Sequence, residues 1–136
     1  MSAIVSLAAV VVDCPQAAPL AGFYQSAFGG EIVRADEDSA WLKIGDLPVI
    51  FRQVEGYQPP TWPSLDVPMQ VHLDLYVDDP AQAEEQLRQL GAETVDPQPP
   101  GRGLAVMRDP AGHLFCICAR PEGNTPTPPP AGLLAG

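Results

Sequence analysis

The sequence predicts an α+β fold of two tandem βαβββ modules, and three observations carry that prediction. A run leading from an apolar strand into a helix that stops at glycine occurs twice, as DCPQAAPLAGFYQSAFGGE over residues 13–31 and as DDPAQAEEQLRQLGAE over residues 78–93. Each copy is followed by three further strand-like segments. Between the copies lies a stretch with four prolines and no periodicity, EGYQPPTWPSLDVPM, over residues 55–69. Repetition of such a unit usually leaves a cleft between sheet faces.

The elements follow in order. Residues 4–12 are nearly all apolar, as expected of a strand covered on both faces. Cys14-Pro15 and Pro19 punctuate a helix whose Leu20, Phe23, Tyr24, Ala27 and Phe28 recur at helical spacing, and Gly29-Gly30 end it. Strands are expected at 31–35, 40–45 and 48–54, separated by polar or Gly-Asp turns. In the second copy Asp79 suits the N-cap, Pro80 the first helical position, and Gln82 completes a capping box. Ala83, Leu87 and Leu90 form the expected buried stripe, Glu84 and Arg88 pair outside, and Gly91 stops the helix. Strands at 92–96, 103–108 and 113–119 close the copy, with QPPGRG and RDPAGH as turns. The expected organisation is one domain over 1–120, with modules at 4–54 and 70–119 and the linker between them. The tail over 121–136, rich in Pro, Gly and Thr, is expected to be disordered.

Composition narrows the partners. A net charge of −10, with seven scattered basic residues, argues against a nucleic-acid backbone as partner. The same acidity serves solubility, and it would also steer a cationic small molecule. No run approaches a membrane span, and the first residues read as a strand and not as a signal peptide. Three cysteines without disulfide-framework spacing fit a reducing cytoplasm.

One strand carries most of the chemistry. In VHLDLYVDD the aliphatic Val71, Leu73, Leu75 and Val77 point one way, while His72, Asp74 and Tyr76 point the other. Three polar groups in a row on a sheltered surface cost desolvation unless they bond one another or a ligand. In HLFCICA, Leu114, Cys116 and Cys118 share a face, which puts Cys116 on the same side as His72. Imidazole and thiolate suit zinc, although Cys-x-Cys on a strand is not the zinc-knuckle spacing, and small buried hydrophobes are the commoner use of such cysteines. Trp41, Tyr57 and Trp62 offer flat surfaces for a ligand, and Trp62 could equally anchor the linker on the sheet.

These residues resemble a known family. The repeated unit, the entry VHLDLYVDD and the closing RDPAGHLFCI are similar to the vicinal oxygen chelate superfamily of glyoxalase I, extradiol dioxygenases and bleomycin-resistance proteins. VVVDCPQ, YQPPTWP, HLDL and DPAGHLFC together resemble the small glyoxalase-like domain proteins, over about residues 4–119. The resemblance implies two βαβββ modules pairing into an incomplete, cleft-containing barrel, and a homodimer. It also implies a metal site with one ligand from each of four strands. His72 matches the fifth-strand His, and Cys116 stands where DPxGxxxE places its Glu. The first-strand position falls near Ser6 or Ala8, and the fourth-strand position on Phe51 or Gln53, with Glu55 just beyond. Most of these are poor ligands for an oxygen-loving divalent metal.

Two functions stay open. One is a small-molecule-binding protein of the bleomycin-resistance kind with no cofactor, whose ligand-binding groups are Asp74, Tyr76, Phe51, Gln53, Tyr57, Trp62 and Cys116. The alternative is an enzyme of lyase, isomerase or dioxygenase type on a small oxygenated substrate. There His72 is the catalytic acid–base group or, with Cys116, a ligand to zinc, iron, manganese or nickel.

Overall fold

A computed structural model describes residues 3–99 and 104–120. It contains β1 (Val10–Cys14), α1 (Ala17–Phe28), β2 (Glu31–Ala35), β3 (Ser39–Ile44), β4 (Leu47–Gln53), β5 (Leu73–Val77), α2 (Pro80–Gln89), β6 (Glu93–Thr94), β7 (Leu104–Arg108) and β8 (Leu114–Ala119). The sheets repeat one topology, β1-β4-β3-β2 and β5-β8-β7-β6, each with one parallel pair, and they form no closed barrel. The chain divides into two compact units, Met1–Tyr57 and Gln58–Gly136. No helix among the described residues is long and apolar enough to cross a membrane.

In the first unit α1 packs over β2, β3 and β4. Leu20, Phe23 and Tyr24 are buried, and Tyr24 stacks on Phe51 at 5.5 Å between ring centroids. Gly29, at φ 79°, takes the left-handed turn that ends the helix. A Cβ on the next residue, Gly30, would meet the Lys43 carbonyl oxygen at 2.6 Å, so both glycines of the stop are required. The expected first strand is corrected: residues 3–9 form no strand, and Ile4, Val5 and Leu7 are exposed. Val10 pairs with Val49, only two residues into β4, so the parallel partner ends where the apolar run would continue.

In the second unit α2 packs over β6, β7 and β8. The Asp79 side chain accepts a hydrogen bond from the Gln82 backbone N–H at 3.1 Å, as the cap signal required. Arg88 bridges Glu84 at 3.0 Å and Glu85 at 2.8 Å. Leu87 alone of the expected stripe is fully buried; Leu90, the C-cap, is exposed. The strand expected over 92–96 shortens to Glu93–Thr94: at Val95 the N–H still donates to the Val106 carbonyl at 3.2 Å, and a side chain takes the reciprocal bond. The Gln98 amide donates to the Val95 and Val106 carbonyls at 2.7 and 2.8 Å and accepts from the Val106 N–H at 2.9 Å. The tail, and much of the QPPGRG turn, lie outside the described residues.

Candidate functional site

The second sheet has two faces of different character. Leu73 and Leu75 pair with Phe115 and Ile117 on the side that α2 covers. On the opposite side Asp74 stands directly across from Cys116, and Tyr76 across from Cys118. Val106 pairs with Cys116 from the other neighbour strand. The face therefore runs from carboxylate through thiol to aliphatic in one row.

His72 lies one residue before β5, a shift from its expected place inside the strand, and its Nε2 sits 3.2 Å from Asp74 Oδ1. A ring nitrogen of His72, a carboxylate oxygen of Asp74 and Cys116 Sγ all lie within 4.8 Å of one another. This is the one such His, Cys, Asp or Glu group of three among the described residues. Their exposure is graded: the His72 and Asp74 side chains are 29% and 28% exposed, while Cys116 is 1% exposed. The cluster thus has a wet mouth and a dry floor.

The floor is apolar. Val95, Val106, Leu114 and Cys116 form one buried cluster, and Trp62, Met69 and Leu104 pack against it. Burial, then the Asp74 charge and a thiol hydrogen bond to that carboxylate, push the Cys116 pKa up to about 12. Burial and Asp74 also push Cys118 up. At neutral pH Cys116 is a thiol and not a ready nucleophile.

The linker is ordered by its own hydrogen bonds. Thr61 Oγ1 donates to the Ser64 carbonyl at 2.6 Å and accepts from the Val67 N–H at 3.1 Å. Trp62 Nε1 donates to the Pro97 carbonyl at 2.6 Å while the ring packs on the apolar cluster. Trp62 is a linker anchor, on the same face as His72 and Cys116.

The remaining expected residues belong to the first unit. Phe51, 1% exposed and stacked on Tyr24, is core beneath α1 and not a ligand contact. Gln53 shares the Phe51 face by alternation and lies at the exposed end of β4. The face opposite α1 instead carries Ile50 and Arg52, and the Arg52 guanidinium bridges Asp13 at 2.9 Å. Ser6 and Ala8 lie on no strand, Glu55 is exposed past β4, and Tyr57 is half-buried at the end of the unit. Trp41 is half-buried under the Arg34 guanidinium, 5.8 Å from the ring centroid. Sequence reasoning missed Arg52 and Asp13; the parallel register of β1 on β4 brings them together.

The glyoxalase-like domain family matches residues 9–118. The chain belongs to this family. No curated protein matches this glyoxalase-like chain. Among solved structures it is similar to the fosfomycin resistance protein FosX of Listeria monocytogenes complexed with Mn(II) and sulfate, at 18% identity and a TM-score of 0.66 over 88% of this chain and 93% of that one. It is also similar to a glyoxalase-related enzyme of Fulvimarina pelagi, at 19% identity and a TM-score of 0.63 over 89% and 94%. A glyoxalase/bleomycin resistance protein/dioxygenase family enzyme of Burkholderia phytofirmans matches at 18% identity and a TM-score of 0.65 over 83% and 97%. At these identities the likeness concerns the fold.

The oxygen-loving divalent metal that the superfamily resemblance implies does not fit the residues here. Such an ion wants carboxylate, carbonyl and water oxygens. The glyoxalase-like chain offers a high-pKa thiol where a carboxylate would stand and no ligand on residues 3–9. On β4 the face opposite α1 presents an isoleucine and an arginine.

Proposed function

We propose that the protein binds a small molecule on the helix-free face of its second sheet, in the manner of the bleomycin-resistance branch and without the superfamily's oxygen-rich metal site. The observation that supports this reading is the convergence of His72, Asp74 and Cys116 at the edge of an apolar floor bounded by Trp62. Few convergent polar groups on an apolar surface are the usual make-up of a ligand site. The half-exposed Asp74 carboxylate and the net charge of −10 favour a cationic ligand. They disfavour an anion such as the dihydroxypropylphosphonic acid held with Mn(II) by a FosX variant. The working unit is a homodimer in a reducing cytoplasm, where the three cysteines stay free as they are here.

Calorimetric titration of the full chain with planar organic cations tests this reading. The expected result is saturable binding without product, weakened roughly tenfold in Asp74→Asn. Binding indifferent to Asp74→Asn and to added salt would remove the charge argument.

One observation favours a second reading. The His72 Nε2 to Asp74 contact at 3.2 Å is the arrangement by which a carboxylate orients an acid–base imidazole. If the protein turns over a small oxygenated substrate, His72→Ala abolishes turnover; under the binding reading it only trims affinity.

A further inference from the structure

The strands at the ends of the two sheets differ in charge, and the difference singles out one of them. The end strands are β1 and β2 of the first sheet and β5 and β6 of the second. Each leaves a row of backbone N–H and C=O groups with no strand bonded to it among the described residues. β1 (VVVDC) and β5 (LDLYV) carry an aspartate and no cation, and β6 is only Glu93–Thr94. β2 (EIVRA) alone carries both signs, as Glu31 and Arg34. We infer that β2 pairs antiparallel with β2 of a second copy of this chain about a twofold axis, with Glu31 of each copy opposite Arg34 of the other. This gives the homodimer of the reading above an interface, and it rests on that reading.

The register of β2 makes the edge self-complementary. Glu31 stands across from Lys43 and Arg34 across from Trp41, with Val33 the extra residue where the register shifts. Residues three apart on a strand normally point to opposite faces, and the bulge returns Arg34 to the face of Glu31. Opposed residues of an antiparallel pair share a face, so the pairing needs this return. Ile32 then lies opposite Val33 of the second copy, and the axis runs between two apolar pairs. A bulge commonly blunts a sheet edge; here it also creates the match. Both charged groups are available. Glu31, Val33, Arg34 and Ala35 are exposed, Val33 to 53%. Neither Glu31 nor Arg34 makes an ion pair among the described residues. The Arg34 guanidinium lies over the Trp41 ring, 5.8 Å from its centroid, which holds it above the sheet face. Asp36, which feels the Arg34 charge, is already occupied: it accepts from the Asp38 and Ser39 N–H groups at 2.9 Å.

Charge also decides which edge can serve. Each copy carries a net charge of −10, so two copies repel unless opposite charges meet where they touch. Self-pairing of β1 or of β5 would bring an aspartate from each copy and no cation to answer it. Self-pairing of β2 gives two Glu–Arg pairs by symmetry. Two five-residue strands fall short of the roughly 1,000 Å² that a stable interface clears, so this dimer is weak and reversible. Its exposed ion pairs make it sensitive to salt. β2 belongs to the first unit and the His72 face to the second, so substitutions on β2 touch none of the ligand-binding groups of that face.

Sedimentation equilibrium of the full chain, at up to about 1 mM and in low and high salt, reads the association. The unaltered chain is expected to dimerise reversibly, and more weakly at high salt. Glu31→Arg and Arg34→Glu should each weaken the dimer at least about tenfold, because each sets two like-charge pairs across the axis. Mixing the two single variants restores both complementary pairs and should restore the dimer. The double variant Glu31→Arg/Arg34→Glu, with the net charge of the unaltered chain, should also dimerise. Circular dichroism should stay native throughout, because both side chains are exposed. Single variants that dimerise as well as the unaltered chain overturn the β2 pairing and leave the homodimer to another surface. Single variants that stay monomeric when mixed overturn it too, because matched charges would then have failed to bring the copies together. An unaltered chain that is monomeric throughout removes both this interface and the homodimer. Organic-cation titration, run in parallel, decides the ligand-binding part of the reading separately.

Discussion

Replacing Trp62 separates an anchor from a ligand contact. The indole packs on Val95, Val106, Leu114 and Cys116 and donates to the Pro97 carbonyl at 2.6 Å. A fully buried Trp→Ala costs about 3–5 kcal/mol. Trp62 is only partly buried, so about 2 kcal/mol of packing is a fair share, and the hydrogen bond adds about 1 kcal/mol. Trp62→Ala should therefore destabilise the second unit by about 3 kcal/mol. Trp62→Phe keeps most of the apolar contact and should lose about 1 kcal/mol, the hydrogen-bond part. With a urea slope of about 1–3 kcal/mol/M, the alanine variant shifts the midpoint by about 1–3 M and the phenylalanine variant by less than about 1 M. Far-ultraviolet circular dichroism in urea reads both shifts. A Trp62→Ala midpoint within about 0.2 M of the parent, a change too small for any loss of packing, would refute the anchor argument. If ligand affinity fell at the same time, the indole would be a binding surface and not a structural one.

Two further expectations follow from the same face. Cys116 has a folded pKa near about 12 against an unfolded value near 9.0, so its contribution to stability is complete below about pH 9 and is lost as pH rises towards 12. Urea midpoints between pH 8 and 11 should fall with a slope of at most about 1.4 kcal/mol per pH unit, and Cys116→Ala should flatten that slope. Gly112→Ala strains the turn between β7 and β8: φ is +91°, and the new Cβ would meet Pro59 Cβ at 2.6 Å. It should cost about 1–3 kcal/mol in thermal or urea unfolding. Asp109 accepts from the Ala111 and His113 N–H groups in the same turn, which leads directly into β8.

Much of the molecule was legible in the chain itself. Helical spacing located Leu20, Phe23 and Tyr24, and the Asp79-Pro80 entry located α2, because capping and periodicity are settled within a few residues. Alternation along VHLDLYVDD put His72, Asp74 and Tyr76 on one side for the same local reason. Where a strand depends on a distant partner, the sequence was a poorer guide. Residues 3–9 are as apolar as any strand, yet β4 begins at Leu47, which the register sets opposite Ala8, so no residue of β4 lies opposite residues 3–7. Past Glu93–Thr94, Gln98, a polar residue with no strand signal, takes one of the two bonds that would join Val95 to Val106. Phe51 was assigned to the ligand face by resemblance, and only the position of α1 places it in the core.

The composition, the two copies and the side-chain alternation were determined by the sequence alone, since each depends on near neighbours. The meeting of Asp74 with Cys116 was decided by tertiary structure. The two lie forty-two positions apart in the chain, and a register shift of one would have turned the thiol towards α2 and parted the pair.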